Sequence, residues 1–328
     1  MPTNLPPEAV EAERRYRAAE SVAEKIACLE EFISAIPKHK GTDKLRADLR
    51  RRLSKLKSAA QSRKKVSRQD SAFRIEREGA GQVVVLGPTN VGKSALVATL
   101  TNATPEVADS PFTTWKPTPG MMPMEDIQIQ LVDTPPLNRD YVEPELLDLI
   151  RGSDLILLVV DLQADPFQQL EDTMALLQEH RIVPRHLKDR HIEQRRLAFV
   201  PLLVLVNKSD DEDSDEDFRI FCELLEDDWP LLPVSATTNR NLERLKQVVF
   251  ERLEIIRVYS KPPGEEPDLS APFVLKKGST VAELAGKVHQ DFFESLKSAR
   301  VWGRGVYDGQ MVGRDHVLHD GDVVELRI

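Results

Sequence analysis

The sequence predicts a doubly wound α/β domain with a mainly parallel sheet, preceded by a helical hairpin and followed by a small α+β domain. Three observations carry this expectation. Apolar strand-like segments alternate with amphipathic helix-like ones from Gln82 to Tyr259, and GPTNVGKS (Gly87 to Ser94) lies between the apolar QVVVL and the apolar-periodic SALVATL. The third is SKPPGEEPDLSAP (Ser260 to Pro272), where proline and charge interrupt the alternation. The expected pieces are residues 1–68 as a helical hairpin with a basic arm, 80–259 as the α/β domain, 260–271 as a linker, and 272–328 as the α+β domain.

Up to about Ala60 the apolar spacing is helical, with PKHKGTD between two helices. The polar link QSRKKVSRQDSAFRIEREGAG follows. Strands and helices then alternate as QVVVLG, SALVATLTN, IQIQLVD, PELLDLIRG, LILLVVD, PFQQLEDTMALLQEH, FVPLLVLVN, EDFRIFCELLED, LLPVS and NLERLKQVVFERLEIIRVY. The last piece begins with PFVLKKGS, continues through a single helix and ends in short strands, the pattern of a small domain of about 55 residues.

Composition bounds the class. The chain has 328 residues, 41% hydrophobic and 30% charged, ordinary values for a folded protein. Its longest apolar runs, LILLVV and FVPLLVLV, are far shorter than a spanning helix needs, and MPTNLPPEAVEAERR has no apolar h-region. A cytoplasmic protein with no membrane partner is expected. Cys28 and Cys222 have no CxxC spacing, which supports neither a disulfide framework nor a zinc site. Both are expected to be packing residues.

The net charge of −9 is unevenly spread. Pro37 to Arg68 holds seven Lys and six Arg against Asp43 and Asp48, a net of +11, which leaves −20 for the remainder. Leu45, Leu49, Leu53 and Leu56 stand at helical spacing in this arm, with cations on the other faces. Such a segment could hold a phosphate-rich partner such as RNA through counterion release, or pair with the acidic body of the same chain.

GPTNVGKS matches G-x-x-x-x-G-K-[ST], the phosphate-cradling P-loop, in its strand-to-helix context. Gly87, Val91, Gly92 and Ala95 would offer backbone N–H groups, Lys93 a cation for the β/γ oxygens, and Ser94 a hydroxyl for Mg²⁺. Asp133, ending IQIQLVD, would hold Mg²⁺ through a water, and Thr114 in SPFTTWKPTPG is the hydroxyl expected to close on the metal, with Thr113 as its alternative.

The base is read from LVNKSD, which places Asn207, Lys208 and Asp210 after the fifth apolar strand. A carboxylate accepts from both N1–H and the exocyclic amine of guanine, whereas adenine offers an acceptor at N1 and no amine at C2. Ser235 and Ala236, in the later VSA, would add a backbone N–H for the guanine oxygen. GTP or GDP is therefore the expected ligand.

DSPFTTWKPTPG following GPTNVGKS resembles the Obg-type branch of GTPases. KKGSTVAELAGKVHQDFFESLKSARVWG and VGRDHVLHDGDVVEL resemble the TGS domain that ends the developmentally regulated GTP-binding (DRG) subfamily. IIRVYSKPPGEEPD is similar to that subfamily's junction, and KHKGTDKLRADLRRRLSKLK to its N-terminal arm. The resemblance implies a P-loop GTPase domain, a ubiquitin-like β-grasp TGS domain, and GTP hydrolysis linked to ribosomes or RNA. It also implies a regulatory protein partner. An asparagine at the place of Asn90 helps hold K⁺ in related GTPases, which makes Asn90, with Lys93 and Thr114, the expected catalytic set.

Two features depart from the family pattern. The strand-end motif D-x-P-G is DTPP here, so Pro136 replaces a glycine whose N–H would touch the γ-phosphate. Losing that bond should cost roughly 1.5–3 kcal/mol, about ten- to a hundredfold in discrimination of GTP from GDP. Leu137 follows where a catalytic glutamine stands in other GTPases. The subfamily's inserted subdomain is also missing, with only RIVPRHLKDRHIEQRRLA between LILLVVD's helix and FVPLLVLV. Apart from Asp210, the acidic run DDEDSDED is expected to be a solvated loop leading into a helix, His316 and His319 turn or surface residues, and Phe292, Phe293 and Trp302 the core of the last domain.

Overall fold

The computed structural model describes residues 6, 11, 14, 15, 22–36, 49, 51, 53, 75–101, 116–137, 142–191 and 196–328. These fall into two compact units, Met1–Ala72 and Phe73–Ile328. In the first, helix α1 (Val22–Ala35) buries Leu29 and Phe32, three residues apart on one face, together with the following Ile36. Leu49 and Leu53, themselves helical, complete that cluster. Apart from Arg51, the rest of the basic arm, including Leu45 and Leu56, lies outside the described residues.

The second unit is built on a six-stranded sheet. Its strands are β1 (Gln82–Leu86), β2 (Thr118–Met124), β3 (Ile127–Asp133), β4 (Leu155–Asp161), β7 (Leu202–Asn207) and β8 (Leu231–Pro233), in the order β2-β3-β1-β4-β7-β8. All neighbours are parallel except β2 and β3, which form an antiparallel hairpin. Every residue of β1, β4 and β7 is buried, the reason these strands read as unbroken apolar runs rather than alternating ones.

Helices cover both faces. Val83, Val85, Leu157, Val159, Leu203 and Leu205 meet α2 (Lys93–Leu100) and α6 (Leu242–Arg252) on one side. Val84, Leu86, Ile156, Leu158, Val204 and Val206 meet α3 (Pro144–Gly152), α4 (Pro166–Glu179) and α5 (Asp213–Leu224) on the other. The two-residue period of each strand thus serves two separate cores. The carboxyl ends of β1, β3, β4 and β7 come together along one edge, with Val85 opposite Asp133 and Asp161 opposite Asn207.

Two expected elements divide. FVPLLVLV is not one strand: β6 (Ala198–Val200) pairs with β5 (Ile182–Pro184) in a separate two-stranded sheet, and β7 starts after Pro201. Pro201 has no N–H to give a ladder, but its carbonyl still accepts from Ile156 N–H at 2.9 Å. A 3₁₀ helix, Arg185–His191, follows β5.

NLERLKQVVFERLEIIRVY likewise divides, because α6 ends at Arg252 and Glu254 takes a left-handed φ of 50°. Strand β9 (Ile255–Ser260) then joins a second sheet with β10 (Asp268–Lys276), β11 (Ser298–Trp302), β12 (Gln310–Val312) and β13 (Asp322–Arg327), ordered β10-β9-β13-β11-β12. The ladder places the change of domain at Glu254 rather than after 259, and only 261–267 connects β9 to β10. Helix α7 (Val281–Val288), started by a Thr280/Glu283 capping box, and the short α8 (Gln290–Ser295) complete a ubiquitin-like β-grasp.

Phe292 packs against this small core, but Phe293 is exposed at its edge with the Arg314 guanidinium over its ring. The acidic run leads into α5, which begins within it at Asp213, with Asp211 accepting from Ser214 N–H and Asp215 paired to Arg240. Both cysteines are free and partly buried. No helix among the described residues is long and apolar enough to cross a membrane.

Side chains of β9 fasten the two sheets. Arg257 on β9 pairs with Glu125 and Asp126 at the β2–β3 turn and with Asp320 before β13, and its guanidinium lies 5.1 Å from the Phe250 ring. Tyr259 adds a hydroxyl bond to Asp126, which pushes its own pKa up to about 12.

Candidate nucleotide-binding site

The P-loop takes its shape from two glycines that no other residue could replace. At Gly87, φ is 147° and an added Cβ would stand 2.3 Å from Val159 O; at Gly92, φ is 91° and the Cβ would stand 2.3 Å from Asn207 Nδ2. Asn90 takes the left-handed region as well, at φ 63°, with its side chain exposed. Val91 is buried and turns its carbonyl to Asn207, while Ser94 and Ala95 are exposed on the first turn of α2, where free N–H groups gather for an anion.

Lys93 is buried and donates to the carbonyls of Gly87 at 2.9 Å and Pro88 at 2.6 Å. Burial pulls its pKa down, and the Asp133 charge only partly opposes this. Ser94 Oγ donates to Asp133 Oδ2 at 2.5 Å. Asp133 Oδ1 is buried with no hydrogen-bond partner, and burial pushes this carboxyl up against the Ser94 bond, the Lys93 charge and the Thr134 N–H. An oxygen-liganded cation is the group such a pair lacks, so Ser94 and Asp133 fit the hard ion Mg²⁺. Thr113 and Thr114 lie outside the described residues.

Asn207 ties the loops together. Its side-chain N–H reaches Val91 O at 2.8 Å, and its oxygen accepts from Ala236 N–H at 3.2 Å, so the phosphate loop, NKSD and VSA are held as one body. Asp210 Oδ1 accepts from the Ser235 hydroxyl at 2.6 Å, and Ser235 is fully buried. Lys208, at φ 64°, swings its ammonium to Asp161 Oδ2, 2.5 Å away. Pro136 and Leu137 are partly buried, Leu137 against the core under α3, while the Thr134 hydroxyl anchors this segment to Val85 O.

Three contributors escape a motif reading. Asp161 holds Lys208, Gln163 reaches the Lys208 carbonyl and Asp210, and Arg240 braces the loop through the carbonyls of Ser209 and Asp211. A signal existed for the first: LILLVVD ends on aspartate as IQIQLVD does.

Comparisons with known proteins agree with this geometry. Residues 82–208 match the family model described as 50S ribosome-binding GTPase, and residues 256–328 match the TGS domain. A GTP-binding protein of Methanocaldococcus jannaschii is 30% identical over 94% of this chain and 93% of its own. Ribosome-interacting GTPase 1 of Saccharomyces cerevisiae is 24% identical over 93% of this chain and 99% of its own. The YchF GTPase structure from Schizosaccharomyces pombe shares the fold, with a TM-score of 0.52 and 14% identity over 77% of this chain and 99% of that one. With a prebuilt P-loop beside NKSD, and with relatedness running the length of the chain, the protein belongs to the family of GTP-binding proteins that join a P-loop GTPase domain to a C-terminal TGS domain.

Proposed function

We propose that the protein hydrolyses GTP to GDP and phosphate, is stimulated by K⁺, and acts in the cytoplasm on the ribosome or another RNA-rich partner as a member of the Obg-type DRG subfamily. The observation that carries the nucleotide reading is Asp210, whose carboxylate is oriented by Ser235 and braced to the phosphate loop through Asn207 and Ala236. Asp210 accepts two hydrogen bonds from guanine, and the Ala236 N–H, 3.2 Å from Asn207 Oδ1, would turn to the guanine oxygen.

At the other end Lys93 exchanges its two loop carbonyls for β/γ-phosphate oxygens, and the first turn of α2 adds backbone N–H groups. Bound Mg²⁺ would neutralise charge that develops on the phosphates. Ser94 would hold it directly, Asp133 through water, and Thr114 when the γ-phosphate is present. Asn90, exposed on the loop, is the proposed K⁺ ligand, the ion supplying positive charge for the transition state.

The basic arm and the TGS domain are the proposed contacts to RNA, and a regulatory protein of the DRG-associated kind is a further proposed partner. The Saccharomyces relative's name supports a ribosomal target. Loss of salt-dependent ribosome cosedimentation on removing residues 1–68 is expected; unchanged binding sinks the role of the arm.

A second reading is favoured by Pro136: a guanine-nucleotide module that hardly hydrolyses. GTP turnover by purified protein with Mg²⁺, in KCl against NaCl at equal ionic strength, separates the two. Turnover in KCl alone, lost in Asn90→Ala, supports the K⁺-dependent GTPase. No turnover in either salt, with tight GDP binding, supports the module.

A further inference from the structure

We propose that Asp161 and Gln163, at the end of β4, are positioning residues for the base: they set Lys208 and Asp210 in the posture in which guanine is read. This rests on the guanine-nucleotide reading above and assigns work to two residues outside its motifs.

Asp161 is pinned before it touches Lys208. It is 8% exposed, its N–H donates to Gln169 Oε1 of α4 at 2.9 Å, and its Oδ1 accepts from Gln163 N–H at 3.0 Å. The next residue binds across the edge, Leu162 N–H to Asn207 O at 3.0 Å, so the end of β4 is sewn to the start of NKSD. The one oxygen left, Oδ2, takes the Lys208 ammonium at 2.5 Å. A lysine at the rim of a site otherwise keeps rotamer entropy that binding would have to remove. Held at its tip by a buried carboxylate, Lys208 keeps its methylene stem as the apolar part available to the face of an aromatic ring.

Gln163 completes the wall. Its amide donates to Lys208 O at 3.3 Å and lies 3.5 Å from Asp210 Oδ2, while Asp210 Oδ1 is held by Ser235. The carboxylate is thereby restrained at both oxygens, tightly at one and loosely at the other. The loosely held oxygen keeps lone-pair capacity for a donor on the base.

A double-mutant cycle tests the arrangement, with GDP and IDP, which lacks the exocyclic amine, as probes of the purified full chain. Wild-type GDP binding is measured first, and failure there overturns the guanine reading itself. Asp161→Asn keeps shape and the Gln163 bond but loses the ion pair, and GDP affinity is expected to fall about tenfold. Lys208→Met should fall similarly, and the double variant no further than Lys208→Met alone. Gln163→Ala, at an exposed position, should keep the wild-type melting temperature and lower the preference for GDP over IDP by about threefold. Wild-type affinity in Asp161→Asn, or losses that simply add, would overturn the role of Asp161. Should Asp161→Asn not fold, an unchanged GDP-to-IDP preference in Gln163→Ala overturns the proposal by itself.

Discussion

The two ends of the nucleotide site differ in how well they are satisfied by their own side chains. At the base end Asp210 pairs with Ser235 and Lys208 with Asp161, and Asn207 is held by Val91 and Ala236. At the phosphate end Lys93 is desolvated on carbonyls, and Asp133 keeps one buried oxygen with no partner. The contrast follows from what each end must bind. A neutral base is read by shape and hydrogen-bond pattern, which a rigid self-satisfied network does best. A polyanion with its metal supplies strong charges of its own, so the groups awaiting it can be held in an unfavourable state that binding relieves.

That contrast predicts its largest effect at the base end. Asp210→Asn turns an acceptor into a donor opposite guanine N1–H, so GDP affinity should drop about a thousandfold while xanthosine diphosphate gains. Competition binding with both nucleotides checks this, and a uniform loss for both would mean the end is not preformed.

At the phosphate end, Asp133→Asn should abolish the Mg²⁺ dependence of GDP affinity and yet raise the melting temperature of the nucleotide-free protein. The sign follows from the raised pKa: the ionised carboxylate destabilises the fold above that pKa, and the penalty is absent below the ordinary value. The melting advantage of the variant should therefore be present at neutral pH and shrink as pH falls through Asp133's raised pKa. A variant less stable than wild type at neutral pH would break the comparison.

Pro136→Gly restores an N–H toward the γ-phosphate and should improve the GTP-to-GDP affinity ratio about tenfold, read by competition at fixed Mg²⁺. The smallest effect lies at the far end of the β2–β3 hairpin, whose β3 carries Asp133. Tyr259→Phe removes one hydroxyl bond to Asp126 and should lower stability by about 1 kcal/mol in denaturant titration. Tyr259's pKa is raised to about 12, so that contribution is complete below the ordinary tyrosine value and is lost as pH rises through about 12.

Much of this was legible because it is local. Gly87, Gly92, Lys93 and Ser94 lie within eight residues, and the spacing that cradles a phosphate is a property of one turn. Asp133 and NKSD were readable because each ends an apolar run, and in a parallel sheet those ends share an edge. The division of FVPLLVLV was less visible, although Pro201 marks it, because an apolar run with one proline fits either one edge strand or two. The boundary between α6 and β9 is hidden for a related reason: FERLEIIRVY has no glycine or proline to stop a helix, and the stop is Glu254 in a left-handed turn.

Local pattern thus determined the class of fold, the two cores and the chemistry of both ends of the site. Pairings between distant segments were settled by packing: Asp161 with Lys208, Asn207 with Val91 and Ala236, Arg257 with the β2–β3 turn, and β9 with the second sheet. A spacing rule reports which residues share a turn or a face. Which oxygen a half-buried lysine finds depends on strand register and on how two sheets meet, and those distances exist only once the chain has closed on itself.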